Sequence, residues 1–204
     1  MINSRWTVYV GSSRVRFSIL KSEMAQTATI YNLDIDLSDV DRGIYEEFSL
    51  CIARHPSETL EYMLMRMFAY CLEYGEGMTL TEGVSAGDEP AVLGRDLTGR
   101  ITAWIEVGMP DPERLHRGNK LAGRAAVYTH RDVGRLLSQL SNAHVHRIAD
   151  IPIYEFERTF VDEIAALLEK RSRLAITITE RELYFEIAGR TLTMTIIEHR
   201  VPKS

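Results

Sequence analysis

Apolar residues alternate with others through the stretch Ile101–Val107. Ile101, Ala103, Ile105 and Val107 fall on one side, and Thr102, Trp104 and Glu106 on the other, with Gly108 closing the run. Period two predicts a strand, and the apolar character of most of both sides predicts one that is largely buried on both faces. Glu106 is a carboxylate inside this run, and a charge on a buried strand is costly unless something pairs with it. Asp111-Pro112-Glu113 then reads as a helix start, with an Asp cap, proline in the first turn and an acid near the positive end.

The same reading extends along the chain. Trp6, Val8 and Val10 alternate, as do Val15, Phe17 and Ile19, which predicts a hairpin or an extension ahead of a start at Met24. Ile30, Leu33, Ile35 and Leu37 predict a strand, followed by a turn region from Asp36 to Gly43. Phe48, Leu50 and Ile52 predict a second strand ending at Arg54. The clearest helix is Pro56–Tyr74, where Leu60, Leu64, Met67, Phe68 and Cys71 recur at helical spacing. Met78–Thr81 and Ala91–Leu93 read as short strands. Asp96-Leu97-Thr98-Gly99 fits a type I turn that returns the chain as a hairpin into the Ile101 strand. Ala125–Thr129 reads as a strand, Val133–Leu140 as an amphipathic helix, Ile148–Phe156 as a strand and Thr159–Arg171 as a helix. Three strands end the chain: Leu174–Thr179, Leu183–Ile187 and Leu192–Ile197. The pattern is mixed α/β, with a hairpin-rich start and end around strand–helix–strand units.

Composition narrows the classes. At 204 residues and 45% hydrophobic content the chain can bury one sizeable core. Its net charge is −5, and residues 1–23 alone carry +3, from Arg5, Arg14, Arg16 and Lys21 against Glu23, leaving −8 elsewhere. Bulk positive charge therefore cannot drive nucleic-acid binding, which would need a local patch. Cys51 and Cys71 have no motif spacing and lie in apolar segments, so they read as two buried thiols in a reducing compartment. No apolar run approaches a membrane span and no secretory signal is visible, which points to the cytoplasm.

The candidate chemistry lies in acids: Glu58 on the first helix, Asp88 and Glu89 before a short strand, and Glu106. Acids on a rigid sheet and helix can hold Mg²⁺ or Mn²⁺ through oxygen ligands, with a nearby cation stabilising charge in phosphodiester cleavage. The bland alternatives are a helix-dipole acid for Glu58, solvated loop acids for Asp88 and Glu89, and a buried ion pair for Glu106. Arg114, Arg117, Lys120 and Arg124 make a basic cluster, with His116 and His130 near it in sequence. It suits a phosphate backbone or the solvated face of an ordinary helix. His144 and His146 would share a face on a strand and could bind a stray metal, but next to Asn142 they read rather as surface residues. His55 beside Ser57 gives no triad geometry.

The stretches His55-Pro56-Ser57-Glu58-Thr59, Asp88-Glu89-Pro90, Asp96-Leu97-Thr98-Gly99 and Trp104-Ile105-Glu106-Val107-Gly108, then Pro110-Asp111 and Arg114-Leu115, resemble the bacterial YaeQ family. The resemblance runs from about Met24 to the C-terminus. It implies an α/β fold, a variant of the PD-(D/E)xK restriction-endonuclease-like architecture. That fold has a mixed central β-sheet flanked by helices, here with extra antiparallel strands at both ends. Residues 1–23 would be an extension and 24–204 the nuclease-fold domain. It also implies a metal site formed by the first helix and two adjacent strands.

Carried over by position, Glu106 matches the acid of the (D/E)xK strand, but Gly108 stands where the lysine belongs. The PD dipeptide falls on Pro90-Ala91, so Asp88 or Glu89 would replace its carboxylate. Asp96 is an outside candidate whose turn already accounts for it. A migrated cation would be Lys120, although helical periodicity points it away from the apolar face of Leu115, Gly118 and Ala122, or Arg114, which flanks that face. The expected function is a divalent-metal-dependent nuclease or phosphodiesterase. In that reading Asp88 and Glu106 hold Mg²⁺ or Mn²⁺, Glu58 or Glu89 supports them, Lys120 or Arg114 stabilises charge, and Arg114, Arg117 and Arg124 meet phosphates. The alternative is a non-catalytic module that uses the same cleft to bind nucleic acid or protein.

Overall fold

A computed structural model describes residues 28–82 and 89–202. The expected N-terminal hairpin or extension and Asp88 lie outside these residues. Strands β1 (Thr29–Asp39) and β2 (Ile44–Arg54) form a hairpin, followed by α1 (Leu60–Leu72), β3 (Met78–Leu80), β4 (Val92–Arg95) and β5 (Ile101–Val107). Then come α2 (Pro112–Leu121), β6 (Arg124–Thr129), α3 (Val133–Ser141), β7 (Ile153–Glu155) and α4 (Arg158–Leu167). The chain ends with β8 (Arg171–Thr179), β9 (Glu182–Ile187), β10 (Arg190–Thr195) and β11 (Ile197–His199).

The strands form two mixed sheets. One runs β10-β9-β8-β1-β2, with β1 parallel to β8; the other runs β11-β7-β6-β5-β4-β3, with β5, β6 and β7 parallel. Apart from β11, which borders β7, the extra strands expected at the two ends of the chain do not extend the six-stranded sheet. They meet each other and build a second one. Period-two alternation sends Leu33, Ile35 and Leu37 of β1, with Leu174, Ile176 and Ile178 of β8, into a core shared with α1, α4 and one face of the six-stranded sheet. The other face of that sheet, through Ala125, Val127 and Ile153, packs on Leu115 of α2 and Leu136 and Leu140 of α3. Strands β5 and β6 are thus covered on both sides, as continuous apolar runs require.

Several boundaries differ from the sequence reading for local reasons. The first helix starts at Leu60, not Pro56, because Thr59 is its cap and accepts the Tyr62 N–H at 3.2 Å. Residues 56–58 form the turn before it. The Ile148–Phe156 strand is only Ile153–Glu155, since Ile148–Asp150 is a 3₁₀ turn and Pro152 cannot donate to a ladder. The fourth helix ends at Leu167, and Arg171 is already paired beside Asn32 in β8. The final predicted strand splits in two, and its second piece, β11, crosses to the other sheet and pairs with β7. Of the two thiols expected to be buried, Cys71 is buried on α1, but Cys51 is exposed on β2, where alternation turns it away from the core.

Candidate functional site

Strand β5 carries Trp104 and Glu106 on one face, and both are buried. Asp111 caps α2, accepting the Glu113 N–H at 2.8 Å and the Arg114 N–H at 3.3 Å, with Pro112 at the first helical position. That cap sets the helix so that Gly118 lies against the Trp104 indole. A Cβ at position 118 would stand 2.4 Å from the ring, so only glycine admits this approach. The helix also delivers Arg114 to Glu106. Arg114 Nε donates to Glu106 Oε1 at 2.7 Å, and Trp104 Nε1 donates to the same oxygen at 2.8 Å. The Arg114 guanidinium reaches on to the Glu89 carbonyl. The partners of the carboxylate buried on β5 are thus an arginine and an indole.

A second ion pair lies at the start of α1. Arg66 NH1 donates to Glu58 Oε1 and Oε2 at 2.9 and 3.1 Å, and both side chains are fully enclosed. Arg66 NH2 holds the Thr81 carbonyl, and the His55 N–H donates to Glu58 Oε2 at 3.2 Å. Glu58 is therefore not a simple helix-dipole acid, since it precedes the Thr59 cap and faces a guanidinium. Tyr62 stands among these charges. Burial pushes its phenol above the usual tyrosine range, Glu106 and Glu58 add to the rise, and Arg66 and Arg114 oppose it. The Tyr62 ring also lies 3.5 Å from where a Cβ at Gly108 would sit, and Gly108 has φ +79°. The backbone has turned left-handed where the lysine of the (D/E)xK pattern would be, a conformation that disfavours any side chain.

The remaining candidates disperse. Lys120 and Arg117 are exposed on α2, while Arg114 is a quarter exposed at its Glu106 contact. Arg124 leaves this group: its Nε and NH2 donate to Glu73 at 2.7 and 2.6 Å, and Tyr128 joins the same carboxylate at 2.8 Å. Glu89 is exposed and contributes its backbone carbonyl. Asp96 holds its own turn, accepting from Thr98 Oγ1, Thr98 N and Arg100 N. His144 and His146 lie on a loop rather than a strand. The His146 N–H donates to His116 Nδ1 at 3.0 Å, and the His116 and His144 rings are 6.1 Å apart. Among the described residues no three His, Cys, Asp or Glu side chains are grouped to hold a metal ion. Glu58 has both oxygens on Arg66, and Glu106 has one oxygen doubly occupied by donors. The described arrangement does not fit a divalent cation.

Sequence reasoning missed Arg66 and Tyr62. Arg66 had a signal, as the one charge inside Met63–Ala69, two turns after Glu58. Tyr62 had none, because its role comes from a neighbour on another element.

An arginine-paired carboxylate at the carboxyl end of a parallel strand, within two sheets and four helices, defines a mixed α/β protein. The model of the YaeQ protein family matches residues 24–196, and the chain belongs to that family. It is 29% identical over 181 residues to the uncharacterized protein YaeQ of Escherichia coli K12, covering 88% of this chain and 99% of that one. The Salmonella typhi protein is 28% identical over the same length. The crystal structure of YaeQ protein from Xanthomonas axonopodis pv. citri superposes with a TM-score of 0.78 at 29% identity, covering 86% of this chain and all of that one. That of Pseudomonas syringae gives 0.75 at 27%, covering 88% and 99%. Among the described residues no helix is long and apolar enough to cross a membrane.

Proposed function

We propose that this protein is a nucleic-acid-binding module on a nuclease-like core, and that it does not cleave phosphodiesters through a metal at Glu106. The observation that carries this reading is the double arginine pairing. A divalent cation needs carboxylates whose charge it can balance. Here Arg66 and Arg114 fill that part for Glu58 and Glu106. Gly108 adds support, since its backbone conformation disfavours the lysine of the PD-(D/E)xK pattern. What remains suited to phosphate is the outer side of α2, where Arg117 and Lys120 are exposed near the partly exposed Arg114. On a chain of net charge −5 such a patch binds weakly, and binding falls steeply with salt.

A metal-dependent phosphodiesterase is the second reading. It is favoured by the Arg114 bond to the Glu89 carbonyl, which brings the chain segment next to Asp88 in sequence to the Glu106 corner. Fluorescence anisotropy with single- and double-stranded oligonucleotides at about 50 and about 200 mM salt tests the first reading. Binding should drop with salt and weaken about tenfold or more in Arg117→Glu/Lys120→Glu. Calorimetry with Mn²⁺ should give the same trace for wild type and Glu106→Ala. Mn²⁺-dependent cleavage that disappears in Glu106→Ala overturns the proposal in favour of the second reading.

A further inference from the structure

Strand β2 is the outermost strand of its sheet, and among the described residues no strand pairs with its far side. The other edges are short: six residues in β10 and three each in β3 and β11. β2 has eleven, and its register with β1 runs without a break from Thr29↔Arg54 to Asp39↔Ile44. A long edge is normally blunted by Lys, Pro or a bulge, and β2 has none of these.

Two hydrogen bonds fix which backbone groups face outward. The Asn32 and Val40 N–H groups donate to Lys170 O and Ile178 O, on the β8 side. Even-numbered β1 residues therefore bond β8, and odd-numbered ones bond β2. Since Leu33 pairs with Leu50 and Ile35 with Phe48, even-numbered β2 residues bond β1. Tyr45, Glu47, Ser49, Cys51 and Ala53 turn their N–H and C=O groups to the open side.

We infer that β2 is the seam of a homodimer, in which two copies pair their β2 strands antiparallel about Leu50 to make a ten-stranded sheet. A two-fold axis there sets Glu47 against the second copy's Ala53 and Ser49 against its Cys51, all residues with outward backbone groups. The side chains agree with this register. Phe48 meets the second copy's Ile52, Leu50 meets Leu50, and Glu46 meets Arg54, twice by symmetry, with no like charges opposed. Phe48, Leu50 and Ile52 lie on the core-facing side of β2, where Phe48 and Leu50 are only half-buried, so pairing extends the apolar layer under the sheet. This self-complementary charge pattern selects a second copy as the occupant.

Cys51 gives a direct test, because it is exposed while Cys71 is buried. In this register the two Cys51 residues are diagonal neighbours, roughly 7–8 Å apart. Moving the axis to Ser49 would separate them by about 14 Å. The native full chain is studied by sedimentation velocity over a range of concentrations and by cross-linking with a bismaleimide of about 8 Å span. The expected result is a concentration-dependent dimer, cross-linked through Cys51 and not in Cys51→Ser. Leu50→Lys, which opposes two ammonium groups on the axis, and Glu47→Pro, which removes an outward N–H not used by β1, should each weaken dimerisation about tenfold or more. Circular dichroism should remain that of the folded wild type. A monomer at every concentration, including one whose edge is covered by another segment of the same chain, overturns the inference. So does a dimer that does not cross-link, or one insensitive to both substitutions.

Discussion

Arg66 NH1 grips both carboxylate oxygens of Glu58, at 2.9 and 3.1 Å, with both side chains buried. Removing one member leaves the other charge buried and unmatched, which costs about 3–5 kcal/mol. Glu58→Gln should therefore lower the urea midpoint strongly. Replacing both residues together, as Glu58→Leu/Arg66→Met, should recover most of the loss, because the apolar pair needs no charge compensation. Equilibrium unfolding of the three variants reads this directly.

Gly118→Ala should destabilise by about 1–3 kcal/mol, since the new methyl would lie 2.4 Å from the Trp104 ring and the helix must shift. Trp104→Leu in the same chain should relieve part of that cost. A double-mutant cycle then gives a non-zero coupling between β5 and α2.

Gly108→Lys would place the missing lysine of the (D/E)xK pattern at its expected position. It should produce no cleavage of oligonucleotides with Mn²⁺ and should cost about 1–2 kcal/mol, because φ at this position is +79°. Denaturation together with a cleavage assay checks both parts.

His130 is buried at the end of β6, and its Nδ1 has no hydrogen-bond partner among the described residues. Burial, then Arg131, lowers its pKa below the ordinary 6.5, against the opposing pull of Glu61 on α1 and Asp162 on α4; Arg158 on α4 adds a small lowering. The folded state thus binds fewer protons than the unfolded chain between the two values. The stability held above pH 6.5 is lost as pH falls below it towards the folded value. Urea midpoints at about pH 7.5 and about pH 5 should differ more in wild type than in His130→Gln. His116, also lowered, contributes equally to both proteins.

Burial pushes the Cys71 thiol up to about 12, whereas Cys51 is exposed on β2. A thiol reagent should titrate one group in the native protein and two in denaturant. Two groups reacting at equal rates without denaturant would contradict the burial of Cys71.

Much of this arrangement was legible in local chemistry. The alternation of Ile101–Val107, the Asp111-Pro112 helix start and the Asp96–Gly99 turn each rest on neighbours in sequence, and each stands where periodicity places it. Glu106 could be recognised as a charge needing a partner, with Arg114 flanking the buried side of the next helix. What sequence could not supply was the choice between partners far apart. Pattern reveals that Leu33 and Leu174 each belong to a strand with one apolar face, but not that these strands lie side by side. The pairing of Arg124 with Glu73 had no signal either, because Glu73 lies at the end of α1, far away in sequence.

The parallel pairing of β1 with β8 also bears on how the polypeptide is made. The ladder joins Asn32–Asp39 to Arg171–Ile178, so the early hairpin, complete at Arg54, emerges from the ribosome more than 110 residues before the strand that will cover it. At about 5–20 residues per second that wait is on the order of ten seconds. For all of it, both rims of the nascent hairpin stay open to any strand-seeking neighbour, and chaperone capture of this segment during synthesis is the expected cellular counterpart of a sheet closed by its own tail.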